Sequence, residues 1–395
     1  MKLLLCVQRY GDDVAGGAES ACRGFAEGLA RRGHTIEVAT SAARDYVTWA
    51  DHYPTGASTA NGVTVHRFGV RKPRSEAQFG PLSARVLGAP TSLAVQRDWL
   101  RVQGPDLPDM QEFLRADADR YDAVILHTYL YPTSALAVTV AACRAPVVLH
   151  PAAHQEPMLA FDVYEELFGR VDGLAFYTPE EQALVVDRFR PSAVREVVGV
   201  GVEANAKGDG ARFRRHFGIE DGPLLLFVGR VDRNKGSDEL ISYFREFRRR
   251  DRRVTLAVVG QPIDPIEPQP GVVVTGFVDE QTKYDAFAAA TVFVNPSYFE
   301  SFSIVLCESF LHRRPALVQE RCDVLAGQVR RSRGGLTYSS FAEFDAALTR
   351  LLDDAALRDR LGESGRRYTI ENYAWGHVLT RYEAFLSRVI ESRRH

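Results

Sequence analysis

A chain of 395 residues is too long for one ordinary hydrophobic core, and at about 150 residues per domain it predicts two or three. Hydrophobic residues make up 45 % and charged residues 25 %, which excludes a largely disordered chain; a formal net charge of −2 leaves no footprint for nucleic acid. The cysteines Cys6, Cys22, Cys143, Cys307 and Cys322 are scattered without a C-x-x-C pair, as expected of reduced thiols in the cytoplasm. No apolar stretch reaches the length of a membrane span, and the opening run Leu3–Val7 stops at Gln8-Arg9, short of a signal-peptide core. A cytoplasmic protein with no integral membrane segment is therefore expected.

In chain order, short apolar runs alternate with helical stretches, the pattern of α/β layers around parallel sheets. The first half holds runs at Leu3–Val7, Thr35–Ala39, Val63–Phe68, Ala123–Leu126, Pro146–Leu149, Gly173–Phe176 and Val197–Val200. Between the first two, 17–32 carries Ala, Phe and Leu at helical spacing and Gly33 as a C-cap. Residues 70–115 show no clear period. A polar, Gly-rich segment, Asn205-Ala-Lys-Gly-Asp-Gly210, reads as a flexible linker. Strand-like runs then resume at Leu224–Val228, Val254–Val259, Val272–Thr275, Val292–Val294 and Ala316–Val318. After Phe341 the chain is helical, and its last stretch spaces Trp375, Val378, Leu379, Tyr382, Phe385, Leu386 and Val389 as one apolar stripe.

Two segments carry chemistry. The run Leu224–Val228 leads into Gly229-Arg230-Val-Asp-Arg-Asn-Lys235-Gly236, placing two cations just beyond a strand end. A forked guanidinium with a compact ammonium suits a diphosphate, although a solvated basic loop would read the same alone. The second segment, Asn295-Pro-Ser-Tyr-Phe-Glu300-Ser-Phe-Ser-Ile-Val-Leu-Cys-Glu308, places two carboxylates eight positions apart around a helix start. Carboxylates accept hydrogen bonds from vicinal hydroxyls, and the free N–H groups of a helix N-terminus donate to phosphate. Acid, amide nest and acid match the parts of a nucleotide sugar.

These segments resemble the retaining glycosyltransferases of family 4, with the GT-B fold. The resemblance rests on F-V-G-R-V-D-R-N-K-G at 227–236 and the E-x7-E signature of P-S-Y-F-E-S-F-S-I-V-L-C-E at 296–308. It extends to V-V-G at 258–260, T-G-F-V-D-E at 275–280, G-G-L at 334–336 and G-G-A-E at 16–19, nearly the whole chain. It implies two Rossmann-like domains facing each other across a cleft, with C-terminal helices. The expected boundaries are 1–203 for an acceptor-binding domain, 204–370 for a nucleotide-sugar donor domain, and 371–395 for a helix packing back on the first domain. The implied reaction moves a hexose-like sugar from an NDP-sugar, UDP favoured and GDP the next choice, to the hydroxyl of a small-molecule or glycan acceptor. Neither a metal nor a cofactor beyond the NDP-sugar co-substrate is implied.

Position by position, the resemblance assigns Arg230 and Lys235 to the donor diphosphate, Glu308 to the ribose hydroxyls and Glu300 to the transferred sugar. Backbone groups of Phe302, Ser303, Ile304 and Val305 would touch the donor, and Gly16 and Gly17 would let the first domain approach its phosphates. The family often has glycine where Ser301 and Ser303 stand, which bears on the identity of the sugar. A histidine after the strand at 146–149 commonly touches sugar or acceptor; His154 aligns first and His150 second. His127 ends a neighbouring strand and is a weaker candidate, and for all three a structural role is the alternative. Trp99 and Tyr129 are candidates to stack on a sugar face, with core packing the alternative. Asp117-Ala-Asp119 and the basic run Arg248–Arg253 read as solvated surface and a helix C-terminus. The competing classes are a GT-B phosphorylase or synthase, a catalytically silent nucleotide-sugar-binding subunit, and an NAD-dependent oxidoreductase. The last lacks a G-x-G-x-x-G after either Leu3–Val7 or Leu224–Val228.

Overall fold

The computed structural model describes residues 1–14, 16–232, 235–251, 253–263 and 266–393. Arg233 and Asn234 of the cationic motif, and Arg252 of the basic run, lie outside the described residues. The chain divides into two compact units: Met1–Gly201 with Val378–His395, and Val202–His377.

The first unit holds β1 (Lys2–Cys6), β2 (Thr35–Ser41), β3 (Gly56–Ala60), β4 (Val63–Phe68), β5 (Ala123–His127), β6 (Val147–His150), β7 (Gly173–Phe176) and β8 (Val194–Val197). Their spatial order is β3-β4-β2-β1-β5-β6-β7-β8, with every pair parallel except the edge pair β3 and β4. From β1 the chain builds outward through β2, then returns to lay β5 on the other side of β1. That reversal opens a crevice at the carboxyl ends of β1 and β5, where open α/β sheets bind ligands. Leu4, Leu126, Leu149 and Leu174 form one face of the buried core with Leu100, Leu114 and Phe168.

The second unit holds β9 (Leu224–Val228), β10 (Thr255–Val259), β11 (Val272–Gly276), β12 (Val292–Asn295), β13 (Ala316–Gln319) and β14 (Gly335–Tyr338). All pairs are parallel, in the order β11-β10-β9-β12-β13-β14, so the reversal falls between β9 and β12. Val292, Val294, Leu225 and Phe227 face one layer of helices; Phe293, Leu224 and Leu226 face the other.

Several segments differ from the sequence reading. The edge strand β3 is fully exposed and lacks the alternation that marks a half-buried strand. β8 begins at Val194, earlier than the apolar run at 197–200, because its pairing with β7 matches Val194 to Gly173. The Gly-rich segment is no flexible linker. A Cβ at Gly208 would collide with the Tyr284 carbonyl, and one at Gly210 would lie 2.8 Å from the Ala288 carbonyl, so the glycines let this backbone pack on the helix Glu280–Ala289. Residues 70–115 form three helices, Glu76–Gly88, Leu93–Gln103 and Pro108–Asp117.

The last helix, Trp375–Ser392, buries Val378, Leu379, Tyr382, Phe385, Leu386, Val389 and Ile390. Gly28 lies against Leu379, and Gly173 against Val389 and Phe385; a Cβ at either would sit 2.7–3.0 Å from those side chains. Small residues on the receiving elements thus seat this helix in the first unit. Among the described residues no helix is long and apolar enough to cross a membrane.

Candidate active site

Both chemical motifs leave the strands that flank the reversal in the second unit: Gly229–Gly236 follows β9, and Pro296–Glu308 follows β12. Asp232 organises the first. Its carboxylate accepts the Arg230 Nε–H and, at 2.9 Å, the Lys235 backbone N–H, while its carbonyl accepts the Ser237 hydroxyl at 2.9 Å. The turn delivers Lys235 Nζ to 2.8 Å from Glu300 Oε1 and 3.4 Å from the Phe299 carbonyl oxygen. Lys235 and Glu300 are both largely buried, so a cation and an anion meet beside the strand ends in reduced dielectric.

Gly236 makes this approach geometrically feasible. It adopts φ +69°, and a Cβ there would collide with the Pro296 carbonyl oxygen. Gly236→Ala is expected to cost at least about 2 kcal/mol, from left-handed strain plus displacement of the Pro296 loop. Urea unfolding of the variant checks the cost, and unchanged stability would refute the close packing of the two loops. A further tie joins them: Glu239 accepts Tyr298 O–H at 2.6 Å and the Gln319 amide N–H at 2.9 Å.

The start of the helix Ile304–Leu311 is shaped from behind. Asn295 donates to Ser303 Oγ at 3.0 Å and accepts the Ser297 N–H at 3.0 Å. Ser303 takes φ +68° as the N-cap, and its own side chain makes no capping bond to that helix end. The N–H groups of a helix N-terminus suit an anion. Phe302 is buried edge-on to Tyr373, and its carbonyl accepts from the Gln328 amide. One turn farther on, Glu308 is buried with Oε1 2.7 Å from Lys283 Nζ. Burial pushes the Glu308 carboxyl upward, and Lys283 opposes that shift.

In the first unit, Gly16 N-caps the helix Gly17–Arg31 with φ +156°. A Cβ at Gly16 would collide with Glu19, which forms a buried ion pair with Arg9 at 2.5 Å; at Gly17 the space is open. His127 and His150, adjacent at the ends of β5 and β6, stack with centroids 4.6 Å apart. His150 Nε2 pairs with Tyr382 O–H at 2.8 Å. Burial pulls the His127 pKa down to about 3 and lowers that of His150, so both are neutral at pH 7. His154 is partly exposed, 3.8 Å from Glu156. The loop before it is pinned by buried Glu181, which accepts the N–H groups of Ala153 at 2.8 Å and Tyr177 at 2.6 Å. Glu181 stands at the third position of a helix N-capped by Thr178 with Pro179 following, a capping box whose carboxylate also reaches the neighbouring loop.

Two family models match the chain in tandem: the glycosyl transferase 4-like domain over residues 16–201 and glycosyl transferases group 1 over residues 222–354. The chain is a glycosyltransferase of the GT-B fold. This glycosyltransferase is 28 % identical to alpha-D-kanosaminyltransferase of Streptomyces kanamyceticus over 183 residues, 44 % of the chain and 47 % of that enzyme. It thus spans about half that relative's length. It is 25 % identical to D-inositol 3-phosphate glycosyltransferase of Nocardia farcinica over 403 residues, 93 % of the chain and 84 % of the relative. Among solved structures, HepE of Anabaena in complex with UDP and glucose superposes with a TM-score of 0.73 at 16 % identity, covering 98 % of this chain and 100 % of that one.

Of the residues singled out in the sequence, the glycosyltransferase brings Lys235 and Glu300 into contact, pairs Arg230 with Asp232, and places Glu308 against Lys283. His127, His150, Tyr129 and Trp99 lie within the core of the first unit. Trp99 meets Phe161 edge-on and donates to Ser83, and Tyr129 donates to Glu156 at 2.6 Å. Neither ring presents a face to solvent, so the structure gives both a packing use. Asp119 lies in a surface 3-10 turn and pairs with Arg144. Among the described residues no group of three or more His, Cys, Asp or Glu is arranged to hold a metal ion. Lys283, Glu239 and Glu181 were not singled out, because lone charged residues in helices give no pattern. Asp232 was visible, three residues before Lys235.

Proposed function

We propose that this GT-B glycosyltransferase is a retaining member of family 4. It transfers a hexose-like group from an NDP-sugar, with UDP favoured over GDP, to an acceptor hydroxyl, without a metal ion. The observation that carries the reading is the Lys235–Glu300 contact at the reversal of the second sheet, beside the N-terminus of the helix Ile304–Leu311. In this reading Lys235, Arg230 and the amides from Phe302 to Val305 stabilise charge developing on the leaving diphosphate. Glu300 orients the sugar and faces positive charge at the anomeric carbon, and Glu308 receives the ribose hydroxyls. The bond from the anomeric carbon to the diphosphate breaks as the acceptor oxygen bonds on the same face. The acceptor proton passes to a leaving-group oxygen, so no side chain need serve as base.

The first unit takes the acceptor role, with Gly16, Gly17 and His154 as its candidate substrate-contacting residues. A relative named for D-inositol 3-phosphate favours a small polyhydroxylated acceptor over a polymer. Five unpaired thiols, four of them buried, agree with a reducing cytoplasm.

The test is thermal stability with UDP-, GDP-, ADP- and dTDP-sugars, with NAD alongside. A ligand at a hundred times its Kd adds about 2.7 kcal/mol. One nucleotide series should stabilise the protein, and Glu308→Ala should abolish that shift. NMR of the product should then show the donor's anomeric configuration. Stabilisation by NAD alone would overturn the reading, and an inverted anomer would overturn retention.

A further inference from the structure

Glu308 is held in an unusual way. Its Oε1 takes the Lys283 ammonium at 2.7 Å, while its Oε2 is buried and has no hydrogen-bond partner among the described residues. A buried acceptor left bare is costly unless something donates to it. Lys283 belongs to the helix Glu280–Ala289, not to the helix carrying Glu308, and its side chain is only 20 % exposed. Its remaining contacts are Glu280 at 3.4 Å, itself 70 % exposed, and the Tyr284 ring at 5.1 Å.

The groups around the carboxylate are few. The Glu280–Ala289 helix presents Lys283, Glu280 and Tyr284, the last also near Glu203. The helix of Glu308 itself contributes Cys307, and His312 just beyond its end binds the Glu308 carbonyl oxygen through Nδ1 at 2.9 Å. Of these groups Lys283 is the cation that reaches the carboxylate. Burial works against the Lys283 charge, yet Glu308 beside it takes the ammonium above the ordinary lysine range. Lys283 is therefore an ammonium at neutral pH, and its charge favours the ionised form of Glu308 against the effect of burial.

We infer that Lys283 is a positioning residue for the donor: it fixes one oxygen of Glu308 and turns the other toward the vicinal hydroxyls of a nucleoside. The inference rests on the reading of Glu308 as the ribose acceptor. It adds that the diol is received by Oε2 and that the charge of this acceptor depends on a residue outside both motifs. A hydroxyl donating to an ionised carboxylate forms a charge-assisted bond, about twice as strong as a neutral one. Without Lys283, Glu308 takes up a proton at higher pH, so nucleotide affinity should fall earlier as pH is lowered.

The experiment is calorimetric titration with whichever of UDP, GDP and ADP the wild-type protein binds best, alongside its 2′,3′-dideoxy counterpart. Lys283→Met and Lys283→Gln should each lose roughly tenfold or more in affinity for the ribonucleotide. Neither should lose affinity for the dideoxy nucleotide, and Lys283→Arg should restore most of the loss. Lys283→Gln keeps a donor at the same place without charge, which guards against misfolding of the methionine variant. The acid limb of ribonucleotide affinity should also move to higher pH in both neutral variants. Equal losses with both nucleotides would mark Lys283 as a packing residue and overturn the inference, as would undiminished affinity. Failure of the wild-type protein to bind any of the three would overturn the donor reading itself, and this inference with it.

Discussion

Lys235→Ala is expected to lower the transfer rate roughly 100- to 1,000-fold, the usual cost of removing one preorganised donor to developing negative charge. Its ammonium stands 2.8 Å from Glu300 and is largely shielded from water, so no solvent cation replaces it cheaply. The interaction strengthens as the diphosphate departs; kcat and kcat/KM should therefore fall together while donor KM changes little. Lys235→Arg should not restore the rate. A planar fork cannot occupy the compact position between Glu300 and the Phe299 carbonyl without moving one of them. Steady-state rates on the donor identified by the stability panel check this, and a kcat within threefold of wild type would remove Lys235 from the chemistry.

The second large effect concerns Glu181 and acts on stability. Glu181→Ala leaves the buried N–H groups of Ala153 and Tyr177 without their acceptor, at about 1–3 kcal/mol each. A loss on the order of 4 kcal/mol is expected in urea unfolding of the first unit, followed by the fluorescence of Trp49 and Trp99. The same carboxyl shapes the pH profile. Burial raises it from 4.5 to about 8, so between those values the folded state holds a proton that the unfolded chain releases. Stability from this group is complete below pH 4.5 and declines as pH rises toward 8. His127 and His150 act oppositely. Their pKa values lie below the usual 6.5, so their contribution is present above that value and is lost as pH falls. Two protons against one give a net rise in stability up to pH 6.5 and a decline beyond it, at about 1.4 kcal/mol per pH unit per proton. Glu181→Gln should flatten the alkaline limb alone, and a limb that persists in that variant would assign it elsewhere.

The fold was legible where burial on both faces made strands read as continuous apolar runs. Leu3–Val7 and Leu224–Val228 are such runs, and each proves to be the pivot of its sheet. It was illegible where burial is slight: the exposed β3, and the short edge strand β14 at Gly335–Tyr338, which the sequence shows only as a G-G-L motif. The candidate site divides along the same line. Arg230, Lys235, Glu300 and Glu308 stand out because cations and acids cluster beside strand ends, where spacing carries information. Lys283, Glu239 and Glu181 act across helix boundaries, and a single sequence does not reveal which distant carboxylate or amide a helical charge will meet. Trp99 and Tyr129 show the converse: their ring chemistry suits a sugar, but packing with Phe161 and Tyr164 decides their use. The glycines at 208 and 210 mislead for a related reason, since glycine marks both loose chain and close approach.

The first unit is written in two pieces, Met1–Gly201 and then Val378–His395, with the whole second unit between them. On a ribosome this sets a waiting time. At roughly 5–20 residues per second, the stretch between the pieces takes on the order of 10–35 s to synthesise. Throughout that interval the seats for Leu379, Phe385 and Val389 beside Gly28 and Gly173 stay open, and His150 lacks its Tyr382 partner. The second unit, continuous in sequence, can close first, so the nascent chain matures out of the order in which it is read. A nonsense codon in the last twenty positions would thus strike the beginning of the protein.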